Sequence, residues 1–134
     1  MLYREFNELG IPVFGLHGAT SEGICECLNP KCEALHKHPK NASWQHTPIW
    51  DDEQMEVMEL TDTFATGYGV LCKGILVVDI DARNGGVESY NKLIQDCPEI
   101  LECGFIVETG SGGGSKHLYF KLPRSTGTSL NFCS

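Results

Sequence analysis

Apolar residues near the amino terminus fall at Leu2, Phe6 and Leu9, the i, i+4, i+7 spacing of one helix face, and Gly10 is placed to close that helix through a left-handed cap. A short apolar run follows, Ile11-Pro12-Val13-Phe14-Gly15-Leu16, whose proline suits the start of a strand or a sheet edge. Between 18 and 46 the periodicity dissolves into Gly, Asn, Pro, Cys and His, which predicts an irregular loop long enough to need an internal staple. Regular structure resumes where Asp51 or Asp52 caps a second helix reaching about Thr61, with Met55, Met58 and Leu60 turned inward. Residues 67–71 predict a strand. The next apolar run, Ile75-Leu76-Val77-Val78-Asp79-Ile80-Asp81, is a buried strand that ends in two carboxylates and breaks at Arg83-Asn84-Gly85-Gly86. Val87, Tyr90, Leu93 and Ile94 then recur at helical spacing until Cys97-Pro98 stops them. Phe105-Ile106-Val107-Glu108-Thr109 and His117-Leu118-Tyr119-Phe120-Lys121-Leu122 flank a glycine-rich turn and predict a hairpin. This order predicts an α+β fold, a mixed or antiparallel central sheet flanked by helices.

Length and charge narrow the function classes. The 134 residues suit one domain with a sizeable core. Met1-Leu2-Tyr3-Arg4-Glu5-Phe6 lacks the apolar core of a signal peptide, and no apolar run approaches a membrane span, so a cytoplasmic protein without membrane contact is expected. Eighteen acidic against ten basic residues give a net charge of −8, which argues against coating nucleic acid through bulk electrostatics. Seven cysteines are an odd number; three lie within residues 25–32, and Cys72, Cys97, Cys103 and Cys133 are scattered. In a reducing compartment that pattern favours a metal site plus free thiols over a disulfide framework.

The candidate chemistry lies in three places. Cys25-x-Cys27, Cys32 and either His38 or His36 offer three thiolates and an imidazole, the set that a structural zinc ion takes tetrahedrally; His38, within Lys37-His38-Pro39, is favoured, while His17 and His46 read as ordinary polar or half-buried histidines. Asp79 and Asp81, two apart on a strand, project to one face while Ile80 returns to the core. Carboxylates held side by side suit a hard divalent cation, Mg²⁺ or Mn²⁺, although Asp before Gly-Gly is also common turn chemistry. Thr109-Gly110-Ser111-Gly112-Gly113-Gly114-Ser115-Lys116-His117 is not a Walker loop, because Ser115 stands where its second glycine belongs and His117 where its metal-binding hydroxyl belongs. Strand alternation puts His117 on one face with Tyr119 and Lys121, and the turn's backbone amides beside such side chains make an anion cradle.

Taken in order, these stretches resemble the amino-terminal domain of the bifunctional primase–polymerase family, a branch of the archaeo-eukaryotic primases of phages, plasmids and integrated elements. The likeness runs through Gly10-Ile11-Pro12-Val13-Phe14, the Cys25-x-Cys27…Cys32…Lys37-His38-Pro39 loop, Val77-Val78-Asp79-Ile80-Asp81 with Gly85-Gly86, and the stretch from Thr109 through Ser115-Lys116-His117 to Phe120. It implies a primase/polymerase-like fold across 1–134, with a zinc-binding loop at about 18–46 and a catalytic core at about 64–122. It implies Asp79 and Asp81 as catalytic-metal ligands, His117 as a contact to the incoming triphosphate, and Gly110, Ser111, Gly112, Gly113, Ser115 and Lys116 as its surrounding loop. Nucleoside triphosphates, a DNA template and a fused or associated helicase are the partners implied. The family's third acidic motif is expected on a later strand, so the sequence reads as a carboxyl-terminally truncated domain; Glu108 is the nearest spare carboxylate and the resemblance gives it no such role. Two other classes stay open: a module that binds DNA or a helicase without chemistry, and a metal-dependent nucleotide hydrolase or nuclease that uses water as nucleophile.

Overall fold

The computed structural model describes residues 2–103 and 105–122; Cys133 and the terminal stretch 131–134 lie outside the described residues. Among the described residues the architecture is α+β, with three α-helices and two antiparallel sheets, and the chain divides into two compact units, Met1–Lys73 and Gly74–Ser134.

In the first unit, helix α1 (Leu2–Glu8) ends before Gly10, whose φ of +82° supplies the expected left-handed turn. The buried side of α1 is Tyr3, Phe6 and Asn7, not Leu2, Phe6 and Leu9, because the helix closes one residue before Leu9 and leaves that side chain exposed. Asn7 is buried at no hydrogen-bonding cost: its Nδ2 donates to the Trp50 carbonyl at 2.8 Å and its Oδ1 accepts from the Trp50 amide at 2.9 Å. Strand β1 (Val13–Gly15) starts just after Pro12 and pairs antiparallel with β2 (Tyr68–Val70). Helix α2 (Asp52–Leu60) opens with a capping box, Asp51 accepting from the Gln54 amide and Gln54 from the Asp51 amide.

Along α2, Met55 is buried as expected, but Leu60 is 85% exposed. Five residues of helix separate the two, a rotation that carries Leu60 about 140° away from the Met55 side. The inward line continues instead to Glu59, whose carboxylate accepts from Arg4 Nε and Nη2, each at 2.6 Å, and from the Tyr3 hydroxyl at 2.9 Å. Tyr3 also stacks on Phe64, ring centroids 4.6 Å apart.

In the second unit, β3 (Ile75–Ile80) and β4 (Phe105–Glu108) flank β5 (Lys116–Lys121) in an antiparallel sheet of order β3-β5-β4. Helix α3 (Gly86–Asp96) stops at Cys97, and Pro98–Glu102 follow as a 3₁₀ turn. The core collects Ile80, Tyr90 and Leu118, with Val78, Ile94, Ile100 and Phe120 packed against them. Leu118, fully buried at the centre strand, contributes about 1.5–3 kcal/mol by leaving water. The expected hairpin is therefore present, while the single central sheet resolves into a two-stranded and a three-stranded one.

The Glu59 cluster gives the first unit a pH signature. Hydrogen bonds from Arg4, then from Tyr3, lower the Glu59 carboxyl from 4.5 to about 2. A carboxyl so depressed adds stability that is present above its unfolded value and is lost as pH falls toward its folded value. The thermal midpoint should therefore drop between pH 4.5 and about 2 more steeply in the wild type than in Glu59→Gln, which should already be less stable at neutral pH. Scanning calorimetry of both chains across that range tests this; parallel curves would remove the role of Glu59.

Candidate active site and cysteine-histidine centre

The loop between β1 and α2 is held by a few backbone ties that place its cysteines. Isolated bridges pair Ala19 with Cys25 and Leu16 with Pro39, and the His17 amide donates to the His38 carbonyl at 2.8 Å, so Cys25 and His38 are each pinned close to the β1 end of the loop. A turn from the Leu28 amide to the Cys25 carbonyl at 3.1 Å encloses Cys27, and one from the Cys32 amide to the Asn29 carbonyl at 3.0 Å returns Cys32. Ligand atoms of Cys25, Cys27, Cys32 and His38 all come within 4.8 Å of one another. The imidazole presents Nδ1 to the thiols, 3.7 Å from Cys25 Sγ and 3.6 Å from Cys32 Sγ.

Three sulfurs and a nitrogen converging from separate turns fit a tetrahedral zinc ion in number and in softness. His38 completes the set, and His36, exposed with a left-handed φ of 60°, does not belong to it. A hydrogen bond from the Asn29 backbone, followed by those from Cys25, His38 and Cys32, lowers the Cys27 thiol to about 7. A good part of it is therefore thiolate, the ligating form, at neutral pH.

The second unit carries the acidic pair. Register sets Asp79 directly opposite His117 and Val78 opposite Leu118, so one side of β3 and β5 enters the core while the other carries Asp79 and His117. His117 Nε2 lies 3.4 Å from Asp79 Oδ1, with the side chains 37% and 68% exposed, an ion pair whenever the imidazole is doubly protonated. Tyr119 shares that face, its ring 6.3 Å from the imidazole.

Asp81 stands one residue beyond β3 with extended backbone, φ −100° and ψ 107°, which preserves the two-residue relation to Asp79. Its Oδ1 accepts from the Arg83 amide at 3.0 Å and its Oδ2 from Asn84 Nδ2 at 2.8 Å. The Arg83 backbone bond, then those from Asn84 and the Arg83 charge, holds the Asp81 carboxyl below the ordinary range, so it stays ionised and oriented. Gly86 is required here because a Cβ at that position would strike the Asp81 backbone. Among the described residues, Asp79, Asp81 and His117 do not converge into a cluster of the kind formed by the cysteines.

The glycine loop has a more divided role than its sequence suggests. Gly112, Gly113 and Gly114 all have positive φ, from +67° to +96°, a run that residues with a Cβ rarely adopt. Gly112 donates to the Thr109 carbonyl and Ser115 to the Gly112 carbonyl, which leaves the Gly110, Ser111, Gly113 and Gly114 amides outside those internal bonds among the described residues. Lys116, expected in the nucleotide loop, is placed elsewhere: alternation turns it to the α3 side, its ammonium 5.1 Å above the Tyr90 ring, on the face opposite His117. Ser115 is buried, its Oγ accepting from the Ala82 amide at 3.0 Å. Sequence reasoning missed Asn84 as the orienting partner of Asp81; the signal was its place three residues after Asp81 in a turn, where an amide can reach back to a carboxylate.

The second unit thus sets a strand-end carboxylate against a histidine on the neighbouring strand, with a glycine turn at their edge. Comparison supplies the class. The family model described as bifunctional DNA primase/polymerase, N-terminal, matches residues 4–131, nearly the whole sequence, and the chain belongs to that family. It is thus a DNA primase/polymerase-family domain, of a kind that acts on nucleotides and DNA. No match was found among curated proteins or among solved structures. Among the described residues no helix is long and apolar enough to cross a membrane.

Protein purified without added metal should carry one equivalent of zinc by elemental analysis. Cys32→Ser and His38→Ala should lose it and His36→Ala should keep it. Because the ligands must be deprotonated, zinc should leave as pH falls well below the Cys27 value of about 7. A metal-free wild type, or zinc retained by Cys32→Ser, would overturn the assignment.

Proposed function

We propose that this chain performs template-directed, metal-dependent nucleotidyl transfer, extending a primer on DNA during replication of a phage, plasmid or integrated element. The observation that carries the reading is the register that sets Asp79 against His117 within a chain of this family. Zinc would be structural, in the loop at about 18–46, and the chemistry would belong to the core at about 64–122.

The donor set supports a catalytic cation: Asp79 is open to solvent, Asp81 Oδ2 keeps lone-pair capacity beyond its bond from Asn84, and carboxylate oxygens suit a hard ion such as Mg²⁺ or Mn²⁺. Asp79 and Asp81 would hold it. Such an ion, when bound, supplies Lewis-acid activation of the attacking hydroxyl and charge neutralisation on the departing pyrophosphate. Asn84 and the Arg83 amide keep the Asp81 carboxylate pointed and ionised. His117 Nε2, 3.4 Å from Asp79 Oδ1, would donate to a phosphate oxygen of the incoming nucleotide. The Gly110, Ser111 and Gly113 amides would add backbone donors beside it. Nucleoside triphosphates and a DNA template are then the substrates, with a fused or associated helicase opening the duplex. A net charge of −8 predicts weak template affinity that falls further with salt.

Asp79→Asn with Asp81→Asn should abolish Mn²⁺ binding by calorimetry while leaving the chain folded. His117→Ala should weaken triphosphate binding more than template binding, by roughly ten- to a hundredfold for a lost charge-assisted hydrogen bond of about 1.5–3 kcal/mol. Primer extension with pyrophosphate release decides the reaction. Triphosphate cleavage without primer growth would replace polymerase by hydrolase, and metal-independent DNA binding with neither product would make the chain a binding module.

A further inference from the structure

Ser115 is one of the few buried polar side chains among the described residues, at 4% exposure. Its hydroxyl oxygen accepts from the amide of Ala82, thirty-three positions away in sequence, the residue that follows Asp81. A phosphate contact needs a hydroxyl that a bound anion can reach. This side chain is buried, and its oxygen already accepts the Ala82 amide.

Among the described residues, the other hydrogen bonds of the turn it grips run within that turn. Arg83 and Asn84 donate to the Asp81 carboxylate, and the Asn84 and Gly86 amides donate to the Asp81 carbonyl at 3.1 and 2.8 Å. All of those partners lie in the same short segment and would travel with it. The Ser115 bond instead crosses from the strand that carries His117, two residues earlier, to the strand end that carries Asp81. Packing runs the same way, since a Cβ on Gly113 would lie 3.4 Å from the Ala82 methyl and one on Gly114 3.2 Å from Val87. The last ladder pair, Ile80 with Lys116, stops short of Asp81. Beyond it the Ser115–Ala82 bond continues the alignment that the sheet no longer imposes.

We propose that Ser115 is a positioning residue: it clasps the Asp81 turn to the glycine loop and so fixes Asp81 relative to the Asp79–His117 pair that the strand register already holds, instead of touching nucleotide. This rests on the reading of Asp79 and Asp81 as cation ligands. A covered hydroxyl that accepts one amide leaves that amide unsatisfied when removed, and the turn it held gains freedom at the point where Asp81 must meet the ion.

The test uses the whole chain without nucleotide. Ser115→Ala should speed hydrogen exchange at the Ala82 amide, measured by NMR, and weaken Mn²⁺ binding in calorimetry about three- to tenfold, the worth of one hydrogen bond. Triphosphate affinity measured in the absence of metal should not change. Ser115→Cys, close in shape but a poor acceptor, should weaken Mn²⁺ in the same direction and guards against a loss that comes only from the cavity. Equal Mn²⁺ affinity in a folded Ser115→Ala beside a wild type that binds would overturn this proposal alone. Weaker metal-free triphosphate binding with unaltered Mn²⁺ affinity would also overturn it, making Ser115 a phosphate contact. A wild type that binds no Mn²⁺ would bring down the cation reading itself and this proposal with it.

Discussion

The second unit depends on the register between β3 and β5. Pairing Asp79 with His117 also pairs Val78 with Leu118 and Leu76 with Phe120, so one choice of alignment builds the core and the polar face together. A slip of one residue would turn Leu118 to solvent and carry His117 into the core, a loss on both faces that makes the alignment strongly specified. The site therefore needs no separate device to bring its carboxylate and imidazole together. Burial of Ile80, Leu118 and Tyr90 does it.

Beyond the strand ends, hydrogen bonds take over from the ladder. Asp81 lies past β3, and its carboxylate is oriented by Arg83 and Asn84. The glycine run of the β4–β5 turn lets the chain approach Ala82 and Val87 where a longer side chain would intrude. Lys116 shows the same economy in the other direction, because its place in the strand commits its charge to the Tyr90 ring and leaves His117 as the side chain that faces Asp79. Cation over ring at that distance is a modest attraction, and it is the strand period that decides the direction.

The first unit solves a different problem. Its long loop offers few apolar residues to bury, and Ile24 and Leu28 remain exposed, so hydrophobic packing alone would order it poorly. Short turns instead bring Cys25, Cys27, Cys32 and His38 into one cluster. A metal held there would convert binding energy into folding energy, as it does wherever the ligands come from irregular chain. Elsewhere in the unit, α1 is tied to Trp50 and to α2 by directional contacts, the Asn7–Trp50 pair and the Arg4–Tyr3–Glu59 cluster.

Periodicity and local chemistry were enough to read the elements and the candidate residues. The Ile75–Ile80 run, the α3 spacing, the Asp51 cap and the glycine-split hairpin are set by contacts a few residues apart, which is why they were legible, and the cysteine spacing likewise revealed the zinc-type loop. What failed were positions whose environment comes from distant chain. Leu9 and Leu60 looked inward as apolar residues of predicted helices but point outward, because helix ends and rotation are fixed by what Tyr3, Asn7 and Glu59 bind. The surroundings of Lys116 and Ser115 could not be read from sequence, since each depends on what lies across a sheet or a turn. The choice of His38 over His36 was decided the same way, by the tie of Pro39 to Leu16. Local rules determine where a strand or helix exists and which residue types it offers; which of those side chains meet is decided by register and packing between segments far apart in the chain, where burial free energy outweighs local preference.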